Sequence, residues 1–260
     1  MTATRITATR ITATRIALVS DIHGNLPALQ AVLEDIATRS VDRIVNLGDS
    51  LSGPLLPAET AQFLMQQDWL QLAGNHERQI LEFEPGRGGE SDRHAVSQMT
   101  PEMLSWIRGL PPDLRLDGCV LLCHGTPASD LQYFMESVDE QGTRMASAEE
   151  MIERRGKADA RVICCGHTHV PRMLRMVDGT LIVNPGSVGL PAYEDDHPFP
   201  HRIENGSPDA RYAIIERRDG KWMASLLAVP YDFESMARLA ESNGRPDWAA
   251  ALRTGYMPIA

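Results

Sequence analysis

The sequence predicts an α/β domain, and three observations carry that expectation. Short apolar runs recur at residues 15–19, 43–47 and 69–73, each with the length and composition of a strand. Each run ends in a polar turn: Asp21-Ile22-His23-Gly24-Asn25, Gly48-Asp49 and Gly74-Asn75-His76-Glu77. The first two turns lead into helices, which makes repeated β-α units. With 260 residues, 43% of them hydrophobic, the chain is long enough to enclose a proper core.

Taken in order, residues 2–16 are three copies of Thr-Ala-Thr-Arg-Ile. The unit is too short for a solenoid, so only the last copy is expected to join the domain, as the start of a strand over Arg15 to Val19. The first helix has Pro27 near its first turn and Leu29, Val32, Leu33 and Ile36 at helical spacing. The second spans about Ala58 to Gln67, after the breakers Gly53, Pro54 and Pro57. Residues 84–93 are Gly-rich and polar and read as a mobile surface loop. Thr100-Pro101 opens a helix that stops at Gly109, and Asp117-Gly118 turns a hairpin whose second strand ends on His124-Gly125. Ser147 and Glu150 form a capping box for a helix closing at Gly156. A strand over Arg161 to Cys165 then delivers Gly166-His167-Thr168-His169, and a hairpin at Asp178-Gly179 leads into Asn184-Pro185-Gly186-Ser187. Residues 190–208 lack periodicity and read as a long loop. A last hairpin turns at Asp219-Gly220, and two helices broken near Gly244 and Pro246 close the chain. The expected organisation is an N-terminal extension (1–14), a main domain (15–229) and a helical appendage (230–260).

Composition narrows the partners. A formal charge of -10 disfavours a protein that clamps long nucleic acid, which needs many Lys and Arg against phosphates. A small anionic substrate stays compatible if cations supply the local positive field. No apolar stretch approaches the roughly 20 residues of a membrane span, and no secretory signal opens the chain, so a soluble cytoplasmic protein is expected. The cysteines Cys119, Cys123, Cys164 and Cys165 lie in strand-like runs and read as reduced thiols. Oligomeric state has no code in the sequence.

The polar turns hold the chemistry. Asp21 and His23 are two residues apart, so in an extended segment both side chains point the same way and can hold one metal; His167 and His169 share that spacing. Asp49 offers a carboxylate able to bridge two cations, Asn75 an amide oxygen and His124 a further imidazole. Mixed nitrogen and oxygen donors suit Mn, Fe, Zn or Ni better than Ca or Mg. Singly these signals are weak: Gly-Asp is a common turn, and a lone histidine at a strand end is as readily structural. His94, His197 and His201 are given that structural reading, and Tyr193 that of a surface residue. Yet five of the eight histidines fall in strand-end motifs.

Asp21-x-His23, Gly48-Asp49, Gly74-Asn75-His76-Glu77, His124 and Gly166-His167-x-His169 resemble, in order, the motif set of the calcineurin-like metallophosphoesterases. The Ser-Asp-Ile-His-Gly-Asn opening and the Asn184-Pro185-Gly186-Ser187 close are most similar to the small prokaryotic phosphodiesterase-like branch. That resemblance implies a four-layer α-β-β-α sandwich of two mixed sheets flanked by helices. It implies two divalent transition metals, manganese first, held by Asp21, His23, Asp49 and His169 and by Asp49, Asn75, His124 and His167. It further implies in-line attack on a small phosphate ester by solvent activated between the metals, with no covalent intermediate. His76 would be the general acid, with Asp49 as the second catalytic residue, and Asn25, Asn75 and His76 would touch substrate. Glu77 either orients His76 or is solvated. Phosphatases of the superfamily carry an arginine soon after Gly-Asp and another before Gly-Asn-His. Here Ser50-Leu51-Ser52-Gly53 and Ala73 stand there, which favours a phosphodiester over a monoester dianion. The rivals are a phosphomonoesterase of the same fold, a nuclease for short oligonucleotides and a non-catalytic scaffold.

Overall fold

A computed structural model describes residues 15–86 and 88–258; the first two repeat copies lie outside them. The first half alternates strand and helix: β1 (Arg15–Val19), α1 (Leu26–Ala37), β2 (Arg43–Asn46), α2 (Pro57–Met65), β3 (Leu70–Gln71) and α3 (Asn75–Leu81). Two further helices, α4 (Glu90–Gln98) and α5 (Pro101–Arg108), lead to β4 (Asp113–Leu116) and β5 (Val120–Cys123). The hairpin β6 (Glu136–Asp139) and β7 (Gly142–Met145) precedes α6 (Ala148–Arg155), β8 (Val162–Cys164), β9 (Arg172–Arg175) and β10 (Leu181–Asn184). The chain closes with β11 (Ala192–Asp195), β12 (His201–Glu204), β13 (Ala210–Arg218), β14 (Lys221–Val229), α7 (Phe233–Ser242) and α8 (Pro246–Thr254).

Two mixed five-stranded sheets result, ordered β14-β13-β1-β2-β3 and β4-β5-β8-β10-β9. In the first, β1, β2 and β3 are parallel and β13 runs against β1; in the second, β5, β8 and β10 are parallel. Strand alternation sorts the side chains into layers. Ile16 and Leu18 meet Val120, Leu122, Val162 and Val183 between the sheets. Ala17 and Val19 face outward onto Leu29, Val32 and Ile36 of α1. On the other side Leu121, Ile163 and Ile182 pack under Phe134 and Met135, with Met151 of α6 against them. This is the expected four-layer sandwich, and it gathers the carboxyl ends of six parallel strands at one rim.

Three segments differ from the sequence expectation. Residues 90–93, expected within the 84–93 loop, open the helix α4: only Asp92 and Ala95 of its residues are buried, so no apolar stripe announces the helix. Ala95 packs with Ile80 and Ile107 of the flanking helices, and that tertiary contact supplies what periodicity does not. Residues 190–208 contain the β11–β12 hairpin, where His201 and Ile203 alternate inward with Arg202 and Glu204 outward. The β6–β7 hairpin is likewise polar and gave no apolar alternation to read. The terminal helices share a cluster with Leu55, Leu190 and Ala192, so they are seated against loops of the site rim.

Candidate metal centre

Every residue expected to bind metal sits just past a parallel strand: Asp21 and His23 after β1, Asp49 after β2, Asn75 after β3, His124 after β5, His167 and His169 after β8. The extended geometry assumed for the Asp21/His23 and His167/His169 pairs is not what aims them. Asp21, His23, Asp49, His167 and His169 all have left-handed backbone, with φ of 55°, 52°, 56°, 67° and 57°. Non-glycine residues rarely adopt this region, and Asp and His tolerate it better than most. Two glycines permit the close approach of the loops: a Cβ on Gly74 would fall 2.2 Å from Asp49 Oδ1, and one on Gly48 2.5 Å from the Gly74 nitrogen.

These residues converge as two triplets, Asp21/His23/His169 and Asp49/His124/His167, within each of which the donor atoms lie within 4.8 Å of one another. His167 and His169 therefore part to different triplets despite their spacing. Within the triplets, Asp21 Oδ1 is 3.5 Å from His169 Nε2 and Asp49 Oδ2 is 3.0 Å from His124 Nε2; between them, Asp21 Oδ1 is 4.0 Å from His124 Nε2. Asn75 Oδ1 lies 3.1 Å from the same His124 nitrogen, its amide oriented by donation from Nδ2 to Gln79 Oε1.

Hydrogen bonding fixes which nitrogens face inward. His23 Nδ1 donates to Ser52 O and His169 Nδ1 to Leu190 O, both at 2.7 Å. Their Nε2 lone pairs then confront each other, buried, at 3.1 Å. His124 Nδ1 donates to Leu47 O, which turns its Nε2 toward carboxylate and amide oxygens. His167 Nε2 donates to Leu131 O, which leaves Nδ1. Acceptors packed against acceptors out of water demand a positive charge. The electrostatic surroundings favour the neutral form at His23 and His167. Burial, then His169 and His76, hold His23 down to about 3; burial and His124 hold His167 to about 4. Burial opposes charge on His124, but Asp49 beside it overrides burial and raises it to about 10. Burial pushes Asp49 up, and His124 and His76 more than reverse this, so it lies well below the carboxylate range. Neutral His23 and His167 and ionised Asp49 are in the forms that ligate cations, whereas His124, charged beside Asp49, has to give up its proton to a cation that binds there.

Residues 14–200 match the profile of the calcineurin-like phosphoesterase superfamily domain. The chain belongs to that superfamily. An uncharacterized protein of Methanocaldococcus jannaschii is 26% identical over 258 residues, covering 89% of this chain and 94% of that protein. The structure of a metallophosphoesterase from Sphaerobacter thermophilus is similar with TM-score 0.73 and 25% identity, covering 93% of this chain and 100% of that one. A hypothetical protein from Pyrococcus horikoshii shares the fold with TM-score 0.69 at 16% identity, covering 94% of this chain and 99% of that one. As a calcineurin-like phosphoesterase the chain is a metal-dependent phosphoesterase, and the inward-facing donor set described above fits the divalent cations that membership implies.

Around this phosphoesterase centre lies a cavity of about 920 Å³. His76 lines it, and its Nδ1–H donates to Asp92 Oδ1 at 2.8 Å, a partner from the unforeseen helix α4. Burial opposes charge on His76, but Asp49 and then the Asp92 bond raise it to about 9. Glu77 does neither of the things expected of it. Fully buried, it accepts from the backbone N–H groups of Asp49 (2.8 Å), Ser50 (2.8 Å) and Gly74 (2.7 Å), and so splices the β2 and β3 loops. Burial and then the Asp49 charge push its carboxyl upward.

Asn25 is a correction. It is buried, its Oδ1 caps α1 at Ala28 N, and its Nδ2 donates to Gly189 O and Tyr231 Oη. Both polar atoms are spent on the fold, so it offers substrate nothing. His201 is buried as a structural histidine: Nδ1 donates to Phe199 O, and Nε2 accepts from Tyr133, whose oxygen accepts in turn from Tyr193. Tyr193 packs edge-on against His169 and Trp248 against His23, so neither is a plain surface residue. Asn184 and Ser187 buttress the ligand loops by donating to Gly166 O and Asp21 O. Among the described residues no helix is long and apolar enough to cross a membrane.

Proposed function

We propose that the protein hydrolyses a phosphodiester, with manganese as the first choice of metal and iron, zinc or nickel as alternatives. Asp21, His23, Asp49 and His169 hold one cation, and Asp49, Asn75, His124 and His167 the other. When bound, the two cations supply a water of lowered pKa for in-line attack and neutralise charge on the phosphate. The chain's own residues do the rest. Ring nitrogens anchored on backbone carbonyls, with left-handed backbone at His23, His167 and His169, hold the imidazoles in place before substrate arrives. Asp92 occupies His76 Nδ1, which leaves Nε2 to donate its proton to the departing oxygen. The Asp92 carboxylate at Nδ1, on the side of the ring away from Nε2, favours the protonated ring.

One observation carries the preference for a diester: among the described residues, every arginine lining the cavity is already engaged. Arg144 is bound by Glu150 and Asp139, Arg154 by Phe134 O, Glu136 O and Ser137 Oγ, and Arg245 by Asp247 and Ser91. Seven carboxylates line the cavity against those three arginines. A dianionic monoester therefore meets no free guanidinium fork, whereas a monoanionic diester needs only the cations. The four free thiols support a reducing, cytoplasmic setting. The test is to strip the protein with chelator, restore Mn, and compare bis(p-nitrophenyl) phosphate with p-nitrophenyl phosphate. Faster turnover of the diester is expected; a faster monoester overturns the preference, and inactivity on both overturns the hydrolase reading.

A further inference from the structure

The appendage helix α8 reaches the site through two residues that no sequence motif marks. Trp248, 6% exposed, sets its ring edge-on to His23 with centroids 5.9 Å apart. Arg245, the residue before α8, is mostly buried, with its guanidinium 5.5 Å from the Trp248 ring centre. Asp247 holds that guanidinium from one side, at 3.0 Å to Nε and 2.6 Å to Nη2. On the other side Nη1 donates to Ser91 Oγ at 2.9 Å, and Nε lies 3.9 Å from Glu90 Oε2.

Ser91 and Glu90 belong to the first turn of α4, and the next residue is Asp92, the partner of His76. That turn has little else to fix it. Its N-cap is Gly89, which has no side chain to cap the helix, and α4 buries only Asp92 and Ala95. An N-terminus with no cap and one small buried apolar residue frays readily, yet here it must present a carboxylate to a ring nitrogen at hydrogen-bond distance. Arg245 is the tether that supplies the missing constraint.

We infer that Arg245 is a positioning residue for the general acid: clamped by Asp247 and seated on Trp248, it pins the first turn of α4 so that Asp92 holds His76 Nδ1. The inference rests on the reading of His76 as the acid. The C-terminal helices thereby become a working part of the leaving-group side of the site. The two-sided grip needs a planar fork, so lysine is a poor substitute.

The experiment is a double-variant cycle on the metal-loaded full chain, using methyl aryl phosphodiesters that run from p-nitrophenol to unsubstituted phenol as leaving group. A good leaving group needs no proton; a poor one does. Arg245→Gln is expected to slow the phenyl ester by about tenfold or more, the lower end for losing an outer partner of a site residue. The p-nitrophenyl ester should lose far less, and metal content should not change. Asp92→Asn should steepen leaving-group dependence in the same way, and the double variant should be no worse than Asp92→Asn alone. Arg245→Lys should fall between. Equal slowing of all esters by Arg245→Gln, or additive losses in the double variant, overturns the inference.

A readout independent of turnover separates this from the proposed activity. In the zinc-loaded protein the His76 Nδ1 proton, held by Asp92, should give a slowly exchanging imidazole resonance that disappears in Asp92→Asn and in Arg245→Gln. If the parent protein hydrolyses no diester, the proposed function falls while this resonance still decides the role of Arg245. Should Arg245→Gln fail to fold, Ser91→Ala removes only the bond onto α4 and must weaken the same resonance; an unchanged resonance overturns the inference.

Discussion

The rim that carries the candidate ligands and the wall that surrounds it are built on opposite principles. At the rim each group lies within five residues of a strand end, and at Asp21, His23, Asp49, His167 and His169 the backbone itself is bent into the left-handed region to aim it. In the wall, Asp92, Tyr133, Tyr193, Arg245 and Trp248 come from helices, a hairpin and a loop far apart in sequence, and their placement depends on bonds between side chains. The rim is thus rigid by covalent proximity and burial, and the wall by mutual support. The comparison teaches that metal binding is encoded locally, whereas handling of the leaving group is distributed over the fold. Substitutions in the two regions should therefore fail differently, rim changes by losing metal and wall changes with metal in place.

The largest expected effect is at Asp49, whose Oδ2 lies 3.0 Å from His124 Nε2 and whose Oδ1 accepts from His76 N at 2.9 Å. Asp49→Ala should lower occupancy of both metals and reduce turnover by more than the roughly 10- to 100-fold typical of an outer-shell loss. Metal analysis on the assayed sample checks this; two fully occupied sites would break the shared role of Asp49. His76→Ala comes next. It should retain both metals and lose about 10²- to 10⁴-fold in turnover, most with poor leaving groups. Loss of metal in this variant would mean that His76 belongs to the rim rather than to the acid machinery.

The same contrast explains what could be read without coordinates. The β-α units, the ligand loops and the hairpins at Asp117-Gly118, Asp178-Gly179 and Asp219-Gly220 are local patterns, and the structure reproduces them, whereas the two-sheet sandwich follows from the family resemblance of the motif set and not from local pattern. The α4 helix was illegible because its nine residues bury one carboxylate and one alanine, which leaves no 3.6-residue period to detect. The β11–β12 hairpin was masked by its charged outward face and the prolines around it. Asn25 was misread for a different reason: a polar residue next to ligands can serve the helix that follows as readily as the substrate, and only its partners decide. Glu77 taught the reverse, since its three backbone donors come from loops that only folding brings together.

Glu77 sharpens the comparison by separating rim geometry from ligand chemistry. It touches no candidate metal donor through its own side chain, yet three N–H groups of the β2 and β3 loops converge on it. In Glu77→Gln the amide presents an N–H to one of those donors and removes the charge that strengthens the others. The expected loss is about 1–3 kcal/mol, the range for an unsatisfied buried group. A thermal melt of the metal-free protein reads it directly, and metal affinity should fall because the two loops spread. Unchanged stability would mean that the glycines alone hold the loops together.

The smallest effect is expected at Tyr193. Its hydroxyl lies 2.7 Å from that of Tyr133, which in turn lies 3.0 Å from His201 Nε2, so two bonds tie the β11–β12 hairpin to the loop before β6 and Tyr193 supplies one bond of the two. Tyr193→Phe removes that bond but keeps the ring edge against His169, and Tyr133 can still donate to His201. The stability change should be about 0.5–1.5 kcal/mol, the net worth of one hydrogen bond. Metal content should be unaffected, and amide exchange in residues 192–204 should speed up while that of β1 and β8 does not. If Tyr193→Phe instead lost metal, the wall would be holding His169 in place, and the rim could no longer be called self-supporting.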